Sequence, residues 1–228
     1  MKRSATAALL LLLLVACAPH VPLNRYGLRV VPDVRTYEQL ARVRPETRLV
    51  DLSTLGIPLD IRYATPNNFM KQPLYPVAKA YLRAPAARAL AAVDRELAAR
   101  GLGVKVFDAY RPYRVTEAMW EPIKNPDYVA DPAKGSRHNR GAAVDLTLID
   151  RATGAELPMP TGYDDFTERA AHAFTDLPAD ALANRALLRD VMTRHGFEPL
   201  PSEWWHYDFR GWREFDLMDV PLDAVAGD

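Results

Sequence analysis

Two short segments, far apart in the chain, place the strongest constraint on its fold. Residues 136–145 read SRHNRGAAVD and residues 203–206 read EWWH. Together they offer two imidazoles, a carboxylate and a further glutamate, which suit an open zinc site and a base for its water. The sequence therefore predicts a fold that brings both segments together around one zinc ion, as in a zinc hydrolase.

The first segment can place a carboxylate on a strand beside a histidine on a loop. Gly141 permits a sharp turn after His138. Asp145 then lies inside an apolar strand, where an unpaired carboxylate is costly to bury and a metal ion would balance its charge. The alternative is an ion pair between Asp145 and either Arg137 or Arg140.

The second segment can supply the third ligand and the base. An irregular turn that enters a strand would let His206 bind the metal while Glu203 stands beside the open position. Zinc lowers the pKa of bound water to roughly 7, and a neighbouring carboxylate can take the proton. Trp204 and Trp205 would cover the turn. The alternative is an aromatic edge of the core with an exposed Glu203.

Arg111 is a third candidate for the same site. It follows an apolar stretch and precedes Pro112, and the residue before a proline is held in extended geometry. Peptide hydrolysis develops negative charge on the carbonyl oxygen, which a fixed guanidinium would stabilise. A surface salt bridge is the alternative for Arg111.

The N-terminus is similar to the signal of a bacterial lipoprotein. Lys2 and Arg3 precede an apolar run at residues 5–15 that is short for a membrane span. Residues 14–17 read LVAC, like a lipobox whose cysteine is lipidated after cleavage. Cys17 is the single cysteine in the sequence, so lipidation would leave no thiol for a disulfide or a metal. An ordinary secretory signal or an uncleaved anchor is the alternative.

Composition and patterning favour one globular α+β domain. The 228 residues are 49% hydrophobic and 25% charged, and 29 basic residues balance 29 acidic ones, so no charge excess suits nucleic acid. Strands and helices mix without a regular βαβ rhythm. The predicted strands cover residues 47–53, 59–63, 104–110 and 142–149, with another starting near residue 206. The predicted helices cover residues 85–100 and 179–195.

Five stretches resemble the D-alanyl-D-alanine dipeptidases of the zinc DD-peptidase family, the VanX type. They occur in the family's order and cover roughly residues 47–215. They are residues 60–65 with 68–69, residues 108–112, residues 136–148, residues 157–159 with 163–164, and residues 203–207. The resemblance implies a single compact domain of the zinc DD-peptidase/Hedgehog-like kind, with a central, mostly antiparallel sheet flanked by helices.

The same resemblance implies a role for each site residue and one Zn²⁺ per chain. The implied zinc ligands are His138, Asp145 and His206. The implied catalytic residues are Glu203, as base and then acid, and Arg111, which stabilises the tetrahedral intermediate. The implied substrate-binding residues are Ser136 and Asp164, which hold the free ammonium, and Tyr63, which lines the pocket. One departure is Arg137, which stands where the family has a small residue.

We therefore expect hydrolysis of the D-alanyl-D-alanine dipeptide to two D-alanines. The expected organisation is a signal peptide at 1–16, a lipidated tether at 17–45 and a zinc dipeptidase domain at 46–220. The protein would lie in the periplasm or at the cell surface and contact a bacterial membrane only through its N-terminal lipid. A zinc D,D-carboxypeptidase acting on peptidoglycan stem peptides, or a non-catalytic wall-binding lipoprotein, is the alternative.

Overall fold

The computed structural model describes residues 19–225, and the predicted signal peptide and Cys17 lie outside them. The helices in this part are α1 (Val34–Val43), α2 (Ala84–Ala98), α3 (Tyr113–Ile123) and α4 (Ala179–Arg194). The strands are β1 (Val30–Val31), β2 (Leu49–Asp51), β3 (Tyr81–Arg83), β4 (Leu102–Asp108), β5 (Ala143–Asp150), β6 (Phe197–Pro199), β7 (His206–Phe209) and β8 (Leu217–Met218). Within residues 19–225, each helix is too short or too polar to cross a bilayer.

The central sheet has the strand order β4-β5-β7-β6, and each neighbouring pair is antiparallel. Strand β5 lies inside the sheet, and its first seven residues are buried on both faces. The α+β prediction with a mostly antiparallel sheet is confirmed. Burial on both faces also explains the apolar composition of β5, and it leaves Asp145 as a charged group in the interior.

Two smaller sheets complete the domain. β2 pairs with β3 in antiparallel fashion, and β1 pairs with β8 in parallel fashion. The β1–β8 pair joins the N-terminal part of the described chain to its C-terminal part, with Val30 opposite Leu217.

The two predicted helices are confirmed, with ends that follow from the sequence. Pro85 lies in the first turn of α2, where its missing N–H costs nothing, and Gly101 takes a left-handed φ of 71° just beyond the end. α4 is likewise followed by Gly196, at φ 90°. α2 packs on β4 and α4, and α4 packs on β5 and β6, so both helices cover the central sheet.

Two expectations about local structure differ from what is observed. The strand predicted at residues 59–63 does not form. Leu59 makes an isolated bridge with Val106, and the chain then turns into a 3-10 helix at Arg62–Ala64. The segment expected to be a tether contains β1 and α1 and buries Val21 and Tyr37 in the core.

Helices α1 and α3 were not predicted from the sequence. α1 begins at a capping aspartate, since the side chain of Asp33 accepts a hydrogen bond from the Thr36 N–H at 2.8 Å. α3 begins directly after Pro112, so Arg111 lies in the short connection between the end of β4 and the start of this helix. This junction places Arg111 beside the site.

Candidate metal centre

His138 lies in a short 3-10 helix (His138–Arg140) that ends at Gly141. Gly141 has φ 66°, where another residue would be strained, and a Cβ there would lie 2.9 Å from the Leu49 Cδ2 atom, so glycine suits this turn. The His138 Nδ1 atom lies 2.7 Å from the Ala109 carbonyl oxygen. Because a carbonyl oxygen only accepts, Nδ1 carries the proton and Nε2 presents a lone pair.

Asp145 and His206 lie side by side on adjacent strands of the central sheet. They are register partners on β5 and β7, a pairing that holds neighbouring side chains on the same face. The His206 Nε2 atom lies 3.0 Å from Asp208 Oδ1, and since a carboxylate accepts, Nε2 carries the proton. The His206 Nδ1 lone pair therefore points the other way, 3.0 Å from Asp145 Oδ1.

Three electron-pair donors thus converge on one point. His138 Nε2 lies 3.1 Å from His206 Nδ1 and 3.4 Å from Asp145 Oδ1, and the three candidate ligand atoms all lie within 4.8 Å of one another. Within residues 19–225, no hydrogen-bond donor reaches the buried Asp145 Oδ1. Two lone pairs and a carboxylate oxygen repel one another unless a cation lies between them, so this donor set fits a metal ion.

The pKa shifts of the cluster have the same cause. Burial acts to raise the pKa of Asp145, but the His138 and His206 imidazoles outweigh it and hold the pKa below its usual range. Burial acts to lower the pKa of His206, but the Asp145 and Asp208 carboxylates outweigh it and hold the pKa well above its usual range. The position between these side chains therefore attracts positive charge.

Glu203 lies beside the cluster on the turn that leads into β7. Its Oε2 atom is 4.0 Å from His206 Nδ1, and 16% of its side chain is exposed. Burial is the largest influence on this carboxylate and raises the pKa of Glu203. Trp204 and Trp205 are buried beside it, and the backbone N–H of Trp204 donates to the Ala170 carbonyl at 3.0 Å. Glu203 is thus held in the site and is not an exposed residue at an aromatic edge.

Arg111 is a buried member of the site, not a surface ion pair. Its Nε and Nη2 atoms donate to Asp108 Oδ2 at 3.1 and 2.7 Å, and its guanidinium lies 5.0 Å from the centre of the Tyr63 ring. Burial acts to lower the pKa of Arg111, but the charge of Asp108 outweighs it and raises the pKa well above its usual range. Arg111 therefore stays charged in a fixed orientation.

Asp164 is an incompletely paired carboxylate with a left-handed backbone, at φ 59°. The Tyr63 hydroxyl donates to its Oδ1 at 3.1 Å, whereas its buried Oδ2 has no hydrogen-bond partner in the described part of the chain. Burial, followed by the charge of Asp145, raises the pKa of Asp164 to about 8. A cationic group at Oδ2 would satisfy this oxygen and favour its ionised form.

All eight residues predicted for the metal, the catalytic and the substrate-binding roles line one cavity of about 540 Å³. Ser136 is among them, and its Oγ atom accepts from the His138 N–H at 3.2 Å. Arg137 also lines this cavity. It contacts Asp208, at 3.4 Å from Nε to Oδ2, and stacks on Trp212, so it is not the partner of Asp145.

The residues that hold the site residues in place were not predicted from the sequence. Asp108 binds Arg111 and Asp208 binds His206, as described above. The Tyr75 hydroxyl donates to Asp108 Oδ1 at 2.7 Å, and the Tyr163 hydroxyl donates to Asp145 Oδ2 at 2.9 Å. A signal was present for Asp108 alone, since an acidic residue three positions before Arg111 can pair with it across a turn.

Comparison with known proteins identifies the sequence relatives. The family model for D-ala-D-ala dipeptidases, Peptidase_M15, matches residues 46–217. The chain is 37% identical over 174 residues to D-alanyl-D-alanine dipeptidase of Escherichia coli (strain K12), which covers 75% of this chain and 90% of that protein. It is 32% identical over 178 residues to D-alanyl-D-alanine dipeptidase of Enterococcus faecium, which covers 68% of this chain and 87% of that protein.

Among solved structures, the zinc complex of the vancomycin resistance D,D-pentapeptidase VanY is a distant neighbour. Its TM-score is 0.38 at 17% identity, and the match covers 61% of this chain and 78% of that chain.

Proposed function

This chain belongs to the D-ala-D-ala dipeptidase family of metallopeptidases, and we propose that it is a zinc enzyme that hydrolyses D-alanyl-D-alanine to two D-alanines. One observation carries the proposal. The lone pairs of His138 Nε2 and His206 Nδ1 and the unpartnered Asp145 Oδ1 converge in the same cavity as Glu203. Two imidazoles and a carboxylate suit zinc and leave its fourth position open.

Glu203 would act as the base and then as the acid. The chemistry that zinc supplies at such a site is polarisation of the peptide carbonyl and a lower pKa for the attacking water. The Glu203 carboxylate would take a proton from this water and deliver it to the leaving amine. Its position, 4.0 Å from His206 Nδ1, and its raised pKa both suit a group that gains and loses a proton in turn.

Arg111 would stabilise the negative charge that develops on the carbonyl oxygen. Asp108 and the Tyr63 ring hold its guanidinium before the substrate arrives. A charge that is already oriented needs no reorganisation during the reaction, which is the main source of such stabilisation.

Asp164 would bind the free ammonium of the dipeptide, with Ser136 and Tyr63 beside it. The unpartnered Oδ2 is a buried acceptor that lacks a donor, and an ammonium group supplies both the donor and the charge. An N-acylated peptide lacks this charge and adds bulk at the same end. Asp164 therefore supports a dipeptidase over a carboxypeptidase that acts on stem peptides.

We further propose that the chain is a lipoprotein tethered outside the cytoplasm through Cys17. The support is the LVAC stretch after an apolar run and two cations. Mass spectrometry of the N-terminal peptide from membranes should show a lipidated Cys17. An unmodified Cys17, or cleavage elsewhere, would reject the tether.

The proposed activity is tested with the full chain in detergent, loaded with zinc. We expect alanine release from D-Ala-D-Ala, and none from L-Ala-L-Ala or N-acetyl-D-Ala-D-Ala. Release from the acetylated substrate would favour the carboxypeptidase. Zinc binding without hydrolysis of any of the three would favour a binding protein.

A further inference from the structure

Three tyrosines form a cluster beneath the site, and each donates its hydroxyl to a different aspartate. The Tyr63 ring centre lies 5.7 Å from that of Tyr75 and 6.1 Å from that of Tyr163. The pairs are Tyr63 with Asp164, Tyr75 with Asp108, and Tyr163 with Asp145. The three pairs share one kind of hydrogen bond, but their aspartates face different groups.

The Tyr163 pair involves the aspartate of the metal cluster. The Tyr163 hydroxyl lies 2.9 Å from Asp145 Oδ2, while the other oxygen, Oδ1, faces His206 Nδ1 at 3.0 Å and His138 Nε2 at 3.4 Å. The two carboxylate oxygens thus contact different groups. One is occupied by a phenol, and the other is directed at the convergence point of the imidazoles.

Packing fixes the phenol in this position. The Tyr163 ring centre lies 4.8 Å from the Phe107 ring centre and 5.6 Å from the Trp205 ring centre. Phe107 belongs to β4, and Trp205 immediately precedes β7, so the ring is held between the two strands that flank β5. A ring confined from both sides cannot follow the carboxylate if Asp145 rotates.

We propose that Tyr163 is a positioning residue that restricts Asp145 to binding the metal through Oδ1 alone. The inference rests on the metal centre of the proposed function. A carboxylate free to rotate can bind with both oxygens and fill the position that water needs. The hydrogen bond from Tyr163 makes this rotation costly, because Oδ2 would have to give up its donor in a buried site.

The test is Tyr163→Phe, with Tyr75→Phe as the matched control. Both changes remove a hydroxyl that donates to an aspartate from the same cluster, but Tyr75 serves Asp108, which holds Arg111. Zinc affinity is measured by titrating the metal-free full chain in competition with a chelator. We expect roughly 10- to 100-fold weaker binding in Y163F, and no more than a twofold change in Y75F.

A second readout reports the geometry and not only the affinity. Cobalt(II) in place of zinc gives weaker visible absorption bands as its coordination number rises. We expect weaker bands in Y163F than in the wild type and unchanged bands in Y75F. In an Asp145→Asn background, adding Y163F should change zinc affinity little, because the hydrogen bond would act through the carboxylate that has been removed.

The outcomes separate this inference from the proposed function. For each variant, the unfolding temperature is measured with and without zinc, and the difference between the two is compared with that of the wild type. A general loss of stability lowers both temperatures and is therefore not mistaken for a lost metal contact. Unchanged zinc affinity and an unchanged cobalt spectrum in Y163F would overturn the role of Tyr163 alone. Wild-type protein that binds zinc but cleaves no dipeptide would overturn the proposed function alone.

Discussion

The metal cluster and the Asp164 region share one cavity but are built in different ways. Asp145 and His206 lie on paired strands, where backbone hydrogen bonds set their separation. Asp164 lies on a loop with a left-handed backbone, and the Tyr63 hydroxyl donates a hydrogen bond to its carboxylate. The regular scaffold carries the groups proposed for the chemistry, and the loop carries the group proposed for recognition. Changes on the two sides should therefore alter different kinetic constants.

The largest expected effect is on the chemical side. Glu203→Ala should lower kcat by roughly 10²–10⁴-fold, because the base and acid is removed, while zinc stays bound. The measurement is kcat together with metal content. Glu198→Ala is the matched control, since Glu198 is an exposed glutamate on β6 whose loss should leave kcat within twofold. Full turnover in E203A would reject the mechanism.

Arg111→Ala should come next, with a loss of about 3 kcal/mol of transition-state stabilisation, seen mainly in kcat. Arg62→Ala is the control, because Arg62 also pairs with an aspartate, Asp60, and stacks on Phe107 beside the same aromatic cluster. A change confined to KM in R111A would contradict the oxyanion role, and an equal loss in both variants would indicate damage to the cluster.

On the recognition side, Asp164→Asn should raise KM for D-Ala-D-Ala roughly 10- to 100-fold with a smaller change in kcat, since one charged hydrogen bond is lost. N-acetyl-D-Ala-D-Ala, which has no ammonium and is not expected to be cleaved, is measured as a competitive inhibitor, and its inhibition constant should change less than the KM for D-Ala-D-Ala. An equal loss of affinity for both peptides would separate Asp164 from ammonium binding and break the comparison between the two regions.

A smaller effect should appear in the stability of the metal-free protein. Burial and the charge of Asp145 raise the pKa of Asp164 from 3.8 to about 8. The folded state therefore binds more protons than the unfolded state between these values, and the free energy of unfolding falls as pH rises from 4 to 8. Asp164→Asn should flatten this fall in thermal unfolding at several pH values. Asp176→Asn, at an exposed aspartate, should leave the slope unchanged.

The sequence predicted those parts of the fold that depend on local signals. Pro85 and Gly101 bound α2 because their backbone preferences act within a single turn. β1 and α1 were missed because the Pro- and Arg-rich composition of this segment resembles a linker. The pairing of Val30 with Leu217, from the far end of the chain, and the burial of Val21 and Tyr37 show that the segment belongs to the domain.

The site shows the same division. The two imidazoles, Asp145, Glu203 and Arg111 were candidates from residue type and spacing, because chemistry restricts which side chains can serve. The roles of Ser136, Tyr63 and Asp164 were implied by the family resemblance alone. Tyr163, Asp208 and Tyr75 were not predicted, since a phenol or an aspartate is common everywhere. Their roles depend on tertiary distances of 2.7–3.0 Å that no spacing in the sequence indicates.

The register of β5 and β7 also sets the order in which this protein can mature. A slip of one residue would turn His206 to the opposite face of the sheet, so the three ligands cannot meet before this strand pair has formed correctly. The pair joins segments separated by α4 and long loops, and closing such loops costs entropy before the contact forms. A metal ion that binds there would offset this cost and stabilise the correctly paired sheet over its misaligned forms.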